Sequence, residues 1–300
     1  RSTGVMPRRM EIVYHLGAHC TDEERLIRAL LQNRRALADA GIAVPTPSRY
    51  RPVLGDALAA LKGAPASRDA QEALFDAIVD QDQTRRVVLS NEFFLGIAQR
   101  AIGEQGLYPT AGRRASAIAN LFPDAVNEFH LAIRNPATFI PALIARIPGA
   151  TYASLMGETA PAALRWAPVI RRIAAQAPEA RIVAWCNEDT PLLWPELLRG
   201  LAGIGPDIPL DGSNSLLREI MTPAGFERMT GFLAGRPDAT TAERRKIEGA
   251  FLEKFGRPEE MEMELPVPGW TTALVEDLTA AYDADCDEIA GLARVEMLMP

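Results

Sequence analysis

The early part of the chain groups side chains that bind ligands or metals in other proteins. His15, His19 and Cys20 lie close together, and Thr21 follows directly. Histidine and cysteine are common zinc ligands, but this spacing matches no established zinc pattern. We therefore predict no metal site, with His15 buried in a strand and His19 exposed in a loop. Cys20 could be activated at a helix N-terminus, but nearby acids oppose this, so we expect an inert thiol.

The stretch from Tyr14 to Arg35 has the outline of an anion-binding loop. A short apolar strand precedes Gly17, and apolar residues at helical spacing follow the turn. Glycine between a strand and a helix is typical of phosphate-binding loops, because the first helical amides face the anion. Here the turn carries three acids, at residues 22–24. The alternatives are a phosphate site, a degenerate phosphate site, and an ordinary helix start.

The same acids can serve the helix itself. Thr21 and Glu24 form the T-x-x-E pattern, which predicts Thr21 as the N-cap residue. Carboxylates in the first turn are stabilised by the helix dipole. Asp22 and Glu23 can therefore occupy the positive end of the helix, and no ligand is then needed there.

Strands that alternate with helices must position these residues. Short β-branched and apolar runs predict buried strands, and helical periodicity lies between them. This alternation favours an α/β fold with a mainly parallel central sheet flanked by helices and a helical C-terminal region. We predict a single domain over residues 10–300 and a flexible leader over residues 1–9. The predicted strands are residues 11–16, 85–90, 128–133 and 181–186.

Ligands of parallel α/β folds bind at the carboxyl ends of the strands. That edge is expected to bring together residues 16–21, 90–92 and 134–135. Glu92 follows a strand there, and it could be a general base or make a structural hydrogen bond to a neighbouring loop. Arg134 is the most credible ligand-binding residue, and its alternative is a salt bridge to the acids of the first loop.

Composition excludes several classes of function. The chain has 300 residues and a formal net charge of −7, so we expect no nucleic-acid binding, which requires a strongly basic face. No apolar run approaches the ~18 residues of a membrane span. Three scattered cysteines indicate free thiols in a cytoplasmic protein. Residues 50–80 are expected to be helical, either as a lid or as a packed helix pair.

Four segments resemble stretches of bacterial sulfotransferases. "HLGAHCTDEERL" and the helix after it are similar to the family's opening H-I-G-x-x-K-T-G-T-T-S-L-Q, and "VVLSNEFF" and "AIRNPATFI" resemble its second-strand and R-N/D-P motifs. "DGSNSLLREIM" resembles a later N-x-S-L segment. The positions of the first segment that agree with the family are His15, Gly17, Thr21, Leu26, Asn33, Arg34, Leu37, Ala40, Gly41, Ile42 and Pro45.

The resemblance implies a three-layer fold similar to P-loop NTPases and a sulfuryl transfer from 3′-phosphoadenosine 5′-phosphosulfate (PAPS). The acceptor would be a hydroxyl or amine of a small molecule or glycan. By the same resemblance, the donor site comprises Gly17, His19, Cys20, Thr21 and Arg134, and Glu92 is the candidate base. The partners and the oligomeric state stay open.

The donor site departs from the family pattern where it matters most. The family lysine corresponds to Cys20, and the following small and hydroxyl residues correspond to residues 22–25, of which three are acids. The serine of the R-N/D-P helix corresponds to Ala142. Like charges about 4 Å apart cost roughly 4 kcal/mol in a partly covered site. The sequence therefore leaves two hypotheses, a sulfotransferase with a degenerate donor site and a non-catalytic homologue that binds a ligand or a protein.

Overall fold

A six-stranded sheet forms the centre of the protein. The computed structural model describes residues 9–81, 83–261 and 267–300, so the predicted leader lies almost wholly outside the described residues. All neighbouring strands of the central sheet are parallel, and β4 and β5 form a separate antiparallel hairpin. The strands are β1 (Glu11–His15), β2 (Ile42–Ala43), β3 (Arg86–Ser90), β4 (Ile102–Gly103), β5 (Gly106–Leu107), β6 (Val126–Ile133), β7 (Arg181–Cys186) and β8 (Val295–Leu298).

The strand order places β1 at the point where the direction of winding reverses. The order across the sheet is β2-β3-β1-β6-β7-β8. The chain therefore leaves β1 toward β2 and β3 on one side, and later builds β6 to β8 on the other. His15, the last residue of β1, lies opposite Ser90 of β3 and His130 of β6. A crevice at such a switch point is the usual ligand site of open α/β sheets.

Helices cover both faces of the sheet, which makes three layers. Successive residues of a strand point to opposite faces. Accordingly, Ile12 and Tyr14 of β1 pack into one hydrophobic core and Val13 packs into the other. The α/β architecture with a parallel central sheet is as the sequence predicts.

The helices divide between the two cores. Helices α3 to α8 and α14 contribute to the core of Tyr14, and α1, α2 and α9 to α12 contribute to the core of Val13. The helices are α1 (Arg25–Gln32), α2 (Arg34–Asp39), α3 (Pro47–Leu61), α4 (Arg68–Ile78), α5 (Ala111–Ala119), α6 (Pro136–Arg146), α7 (Tyr152–Met156), α8 (Ala167–Gln176), α9 (Thr190–Ala202), α10 (Ser215–Ile220), α11 (Pro223–Ala234), α12 (Thr241–Phe255), α13 (Pro258–Met261) and α14 (Thr272–Ala290).

Two expectations about individual elements are settled by the fold. Residues 50–80 form the packed pair α3 and α4, which buries Tyr50, Leu54 and Ile78. The mostly helical C-terminal region ends in a strand, β8, which the sequence did not predict because its four residues are only partly buried. None of the helices in the described part of the chain is long and apolar enough to cross a lipid bilayer.

Candidate functional site

The loop after β1 lies in the switch-point crevice and continues to pair with β6. The amide of Leu16 donates to the His130 carbonyl at 2.8 Å, and the amide of Ala132 donates to the Gly17 carbonyl at 2.8 Å. Gly17 has φ of 100°, and a Cβ on it would lie 3.5 Å from Cα of Glu92. The turn therefore uses glycine's conformational freedom and packs directly against the loop after β3.

The carboxylate of Asp22, and not the hydroxyl of Thr21, accepts a hydrogen bond from the first turn of α1, whose N-cap residue is Glu24. Oδ1 of Asp22 accepts a hydrogen bond from the amide of Leu26 at 2.9 Å, whereas the hydroxyl of Thr21 donates to the Ala18 carbonyl at 2.7 Å. The predicted N-cap was wrong because two residues, Glu23 and Glu24, have positive φ and delay the helix to residue 25. Burial raises the pKa of Asp22 to about 6, although the Leu26 amide opposes this.

The other two acids of the loop are held by arginines. Glu23 pairs with Arg25 at 3.3 Å, and Glu24 pairs with Arg51 at 2.6 Å. Arg25 also pairs with Glu219 at 2.9 Å, which joins α1 to α10. The positive end of α1 thus carries the protein's own carboxylate, and the remaining acids are neutralised within the loop's surroundings.

Arg134 braces the loop from the end of β6. Its side chain is buried, and two of its hydrogen bonds go to the Cys20 carbonyl at 2.5 Å and to the Thr138 hydroxyl at 3.0 Å. Burial lowers the pKa of Arg134, and the negative side chains around it, including Glu188 and Glu23, oppose this. The guanidinium therefore fixes the backbone conformation at Cys20 and places a positive charge at the edge of the sheet.

A pocket lies between this edge and the C-terminal helices. Its volume is about 270 Å³, and Thr21, Asp22 and Arg134 line one wall. Asn187 and Glu188, which follow β7, line the wall beside it. Arg25 of α1 and Thr138 of α6 also line it, and the rest of the lining is mostly apolar and comes from α9, α10, α12 and α13. The pocket is close to the lower limit of about 300 Å³ for small-molecule sites.

Glu92 lies on the other side of the loop. It lines a separate cavity of about 20 Å³ with Gly17, Glu24 and Arg51. Its carboxylate accepts a hydrogen bond from Arg146. Burial raises the pKa of Glu92, and Arg146 opposes the rise. The candidate base is thus in an ion pair and does not line the pocket of Arg134. This arrangement favours a structural role for Glu92 over the role of a general base.

His19 and Cys20 belong to the loop after β1. The expectation of an exposed His19 was wrong, because its ring is fully buried and stacks on Tyr108. The His19 amide donates to the Tyr108 hydroxyl at 3.1 Å, and Nδ1 of His19 lies 2.7 Å from the same hydroxyl. Burial lowers the pKa of His19 to about 4 and raises that of Cys20 to about 11. At neutral pH both groups are uncharged, and a neutral thiol is a poor nucleophile.

His15 is a buried strand histidine. Its Nδ1 lies 2.9 Å from the hydroxyl of Ser90, and its ring stacks on Trp185. Burial lowers its pKa to about 3, and His130 adds to the effect. Within residues 9–81, 83–261 and 267–300, no group of three or more His, Cys, Asp or Glu side chains is arranged to hold a metal ion.

Sequence reasoning brought Thr21 and Arg134 together but missed the rest of the pocket. Asn187 and Glu188 follow β7 at the same edge, so the strand prediction itself contained the signal for them. Trp194 and Leu216 have no such signal, because only the packing of α9 and α10 places them there.

Similarity to other proteins does not identify the chain. No model of a known protein family matches it. No curated protein has a significantly similar sequence. A function therefore rests on the geometry of the site.

Proposed function

We propose that the chain is a sulfotransferase-like protein that binds a small anionic ligand beside Arg134 and does not hold PAPS as active sulfotransferases do. The observation that carries the proposal is the 270 Å³ pocket in which Thr21 and Arg134 meet. These residues belong to two separate motifs of the resemblance. They come together at the switch point of a parallel sheet, which is where α/β folds bind ligands.

Arg134 supplies the positive charge that an anion of modest size needs, and Arg25 also lines the pocket beside three acids, Asp22, Glu188 and Glu260. Arg134 is buried, so its charge is screened less by water than a surface charge would be. The guanidinium fork suits carboxylate, sulfate or phosphate oxygens. Glu188 accepts hydrogen bonds from the Asn135 amide at 2.9 Å and from the Tyr282 hydroxyl at 2.9 Å, so each of its oxygens already has a donor.

The residues of the loop after β1 do not favour the binding of a phosphosulfate group. Asp22 accepts a hydrogen bond from the first turn of α1, where amides would otherwise meet the donor's anionic oxygens. Cys20 stands where the family has a lysine and is neutral at pH 7. Sulfuryl transfer needs stabilisation of the charge that develops on the bridging oxygen. Neither residue supplies it.

Sulfuryl transfer is the second candidate function. The shared pocket of Thr21 and Arg134 favours it, because the resemblance assigns both residues to the PAPS site. Glu92 would then deprotonate a hydroxyl or amine acceptor. Its ion pair with Arg146 would have to open first, because a base must reach the proton that it removes.

Calorimetric titration with inorganic phosphate and with small carboxylates tests the binding proposal. We expect a Kd on the order of 1 mM or lower for the wild type. Arg134→Ala should abolish the binding, and Arg134→Lys should retain part of it because the charge is kept. Arg113→Ala is the control, since Arg113 is an exposed arginine of α5 that does not line the pocket.

Equal affinity of the wild type and folded Arg134→Ala would contradict the proposal. The absence of binding for every probe at about 50 mM, roughly 50 times the expected Kd, would also contradict it. The near-ultraviolet circular dichroism of each variant shows whether the loop and its aromatic neighbours keep their packing.

A further inference from the structure

Two of the three cysteines face each other between the sheet and helix α14. Cys186 is the last residue of β7, and Cys286 lies in the second half of α14. Their sulfur atoms are 3.3 Å apart, and both side chains are half-buried free thiols. A disulfide bond is about 2.05 Å long, so the sulfurs must approach by roughly a further 1.2 Å.

The backbone on both sides is held in place. Cys186 is paired in register with Ile133 in the interior of the sheet. On α14, the carboxylate of Asp285 accepts hydrogen bonds from the amides of Trp166 and Ala167, and the Tyr282 hydroxyl, which donates to Glu188, also lies 3.2 Å from the Ile133 carbonyl. The closeness of the two sulfurs is therefore a consequence of the fold and not of two loose side chains.

We propose that Cys186 and Cys286 form a reversible disulfide when the protein meets a peroxide. The Cys186 thiolate attacks the peroxide, the O–O bond breaks, and a sulfenic acid and hydroxide result. The Cys286 thiol gives its proton to that hydroxide, and its sulfur attacks the sulfenic sulfur and displaces a second hydroxide. This hydroxide takes up the proton that Cys186 released, so two thiols and one hydrogen peroxide yield one disulfide and two waters.

The two thiols differ in pKa in the way that this reaction requires. The contact between the two sulfurs lowers the pKa of Cys186 and raises the pKa of Cys286. Cys186 is therefore the attacking sulfur and Cys286 the resolving one. The bond would join residues 100 positions apart in sequence and fasten α14 to the sheet. The proposal does not depend on what the pocket binds.

Cys20 supplies an internal control. It is the third cysteine, it is also half-buried, and burial raises its pKa to about 11. It lies in the loop that follows β1, and no hydrogen bond joins its sulfur to the other two in the described part of the chain. We expect it to stay reduced at a peroxide concentration that oxidises the pair.

The experiment treats the full chain with one equivalent of hydrogen peroxide, alkylates the remaining thiols and measures the mass. We expect a monomer with one alkylated thiol out of three, a peptide that links Cys186 to Cys286, and full reversal by dithiothreitol. The oxidised protein should have a Tm higher by about 5 °C, because the link restricts the unfolded chain. Cys20→Ser should behave like the wild type.

Cys286→Ser should lose the link and instead accumulate a sulfenic acid at Cys186, which dimedone traps. The proposal is overturned if three thiols remain alkylatable after peroxide treatment. It is also overturned if Cys186 is oxidised to sulfinic acid without any link to Cys286, or if the linked peptides contain Cys20. Circular dichroism of Cys286→Ser and Cys286→Ala establishes that the variants fold before the comparison is made.

Discussion

At the scale of single residues, Asp22 occupies the position that an anionic ligand would take at the N-terminus of α1. Its carboxylate accepts the Leu26 amide at 2.9 Å. This hydrogen bond occupies an amide of the first turn that a bound anion would otherwise contact. The site is therefore closed by one side chain, and Glu23 and Glu24 add charge that neighbouring arginines neutralise.

Replacing Asp22 by asparagine should change how stability depends on pH. The folded pKa of Asp22 is about 6 against an ordinary value of 3.8. A raised pKa means that the fold favours the protonated form, so the contribution of Asp22 to stability is full below pH 3.8 and falls as pH rises to 6. Asp22→Asn should lose this fall and still accept the hydrogen bond of the Leu26 amide through its side-chain oxygen.

Urea unfolding of both proteins between pH 4 and pH 7.5 measures the difference. The wild type should lose stability relative to Asp22→Asn as the pH rises. Parallel pH profiles would show that the pKa of Asp22 is not raised in the folded protein. Asp22→Ala separates the hydrogen bond from the charge, because loss of the hydrogen bond costs about 1 kcal/mol at every pH.

From the sequence we predicted correctly that an acid would occupy the start of α1, but we predicted the wrong N-cap residue. Acids in the first turn indicated that the helix would hold its own anion, and Asp22 does so. The T-x-x-E spacing pointed to the wrong cap because the spacing rule assumes a helix that starts directly after Thr21. The positive φ of Glu23 and Glu24 could not be read from residue types that seldom adopt it.

At the scale of elements, a buried charge cluster joins the strands at the amino-terminal half of the sheet. Arg86 of β3 pairs with Glu128 of β6 at 2.8 Å and donates to the Leu201 carbonyl of α9 at 2.9 Å. His130 lies 2.5 Å from the same carboxylate oxygen. Arg86 is only 4% exposed, so its positive charge must be compensated by these hydrogen-bonded partners.

Glu128→Gln should destabilise the protein by about 3 kcal/mol, because it leaves the charge of Arg86 buried with less compensation. Burial alone would raise the pKa of Glu128, but His130 and Arg86 lower it to about 2 from an ordinary 4.5. The ionised carboxylate therefore stabilises the fold above pH 4.5, and this stabilisation disappears as pH falls from 4.5 to 2. The variant should lack that acid-dependent loss.

Urea unfolding at pH 7 and pH 3 checks both effects. Glu11→Gln is the matched control, because Glu11 pairs with the same arginine at 2.7 Å but its side chain is 31% exposed. Its loss should cost clearly less. Equal destabilisation by the two variants at pH 7 would contradict the special role of the buried pair.

Strand prediction succeeded where burial was strong and failed where it was weak. β1, β3, β6 and β7 are mostly buried runs of apolar and β-branched residues, and the sequence located them closely. β2 has two residues and β8 is only partly buried, so neither leaves a clear pattern. The hairpin of β4 and β5 is equally short.

At the scale of the whole molecule, the strand order decides what the first loop can meet. Placing β1 between β3 and β6 brings Gly17 against Glu92 on one side and Cys20 against Arg134 on the other. The sequence predicted that these segments would converge. It could not predict that the loop would separate Glu92 from the pocket of Arg134, since this depends on the packing of distant helices such as α10.

Titration of 3′-phosphoadenosine 5′-phosphate tests the central claim most directly. The wild type should show no micromolar binding, because Asp22 occupies an amide of the first turn of α1 and no lysine stands at residue 20. A variant with Cys20→Lys, Asp22→Gly and Glu23→Gly should bind at least about tenfold more tightly, a gain of about 1.4 kcal/mol. Glycine is chosen at residue 23 because its φ is positive. Micromolar binding by the wild type that disappears in Arg134→Ala would contradict the account and support sulfuryl transfer instead.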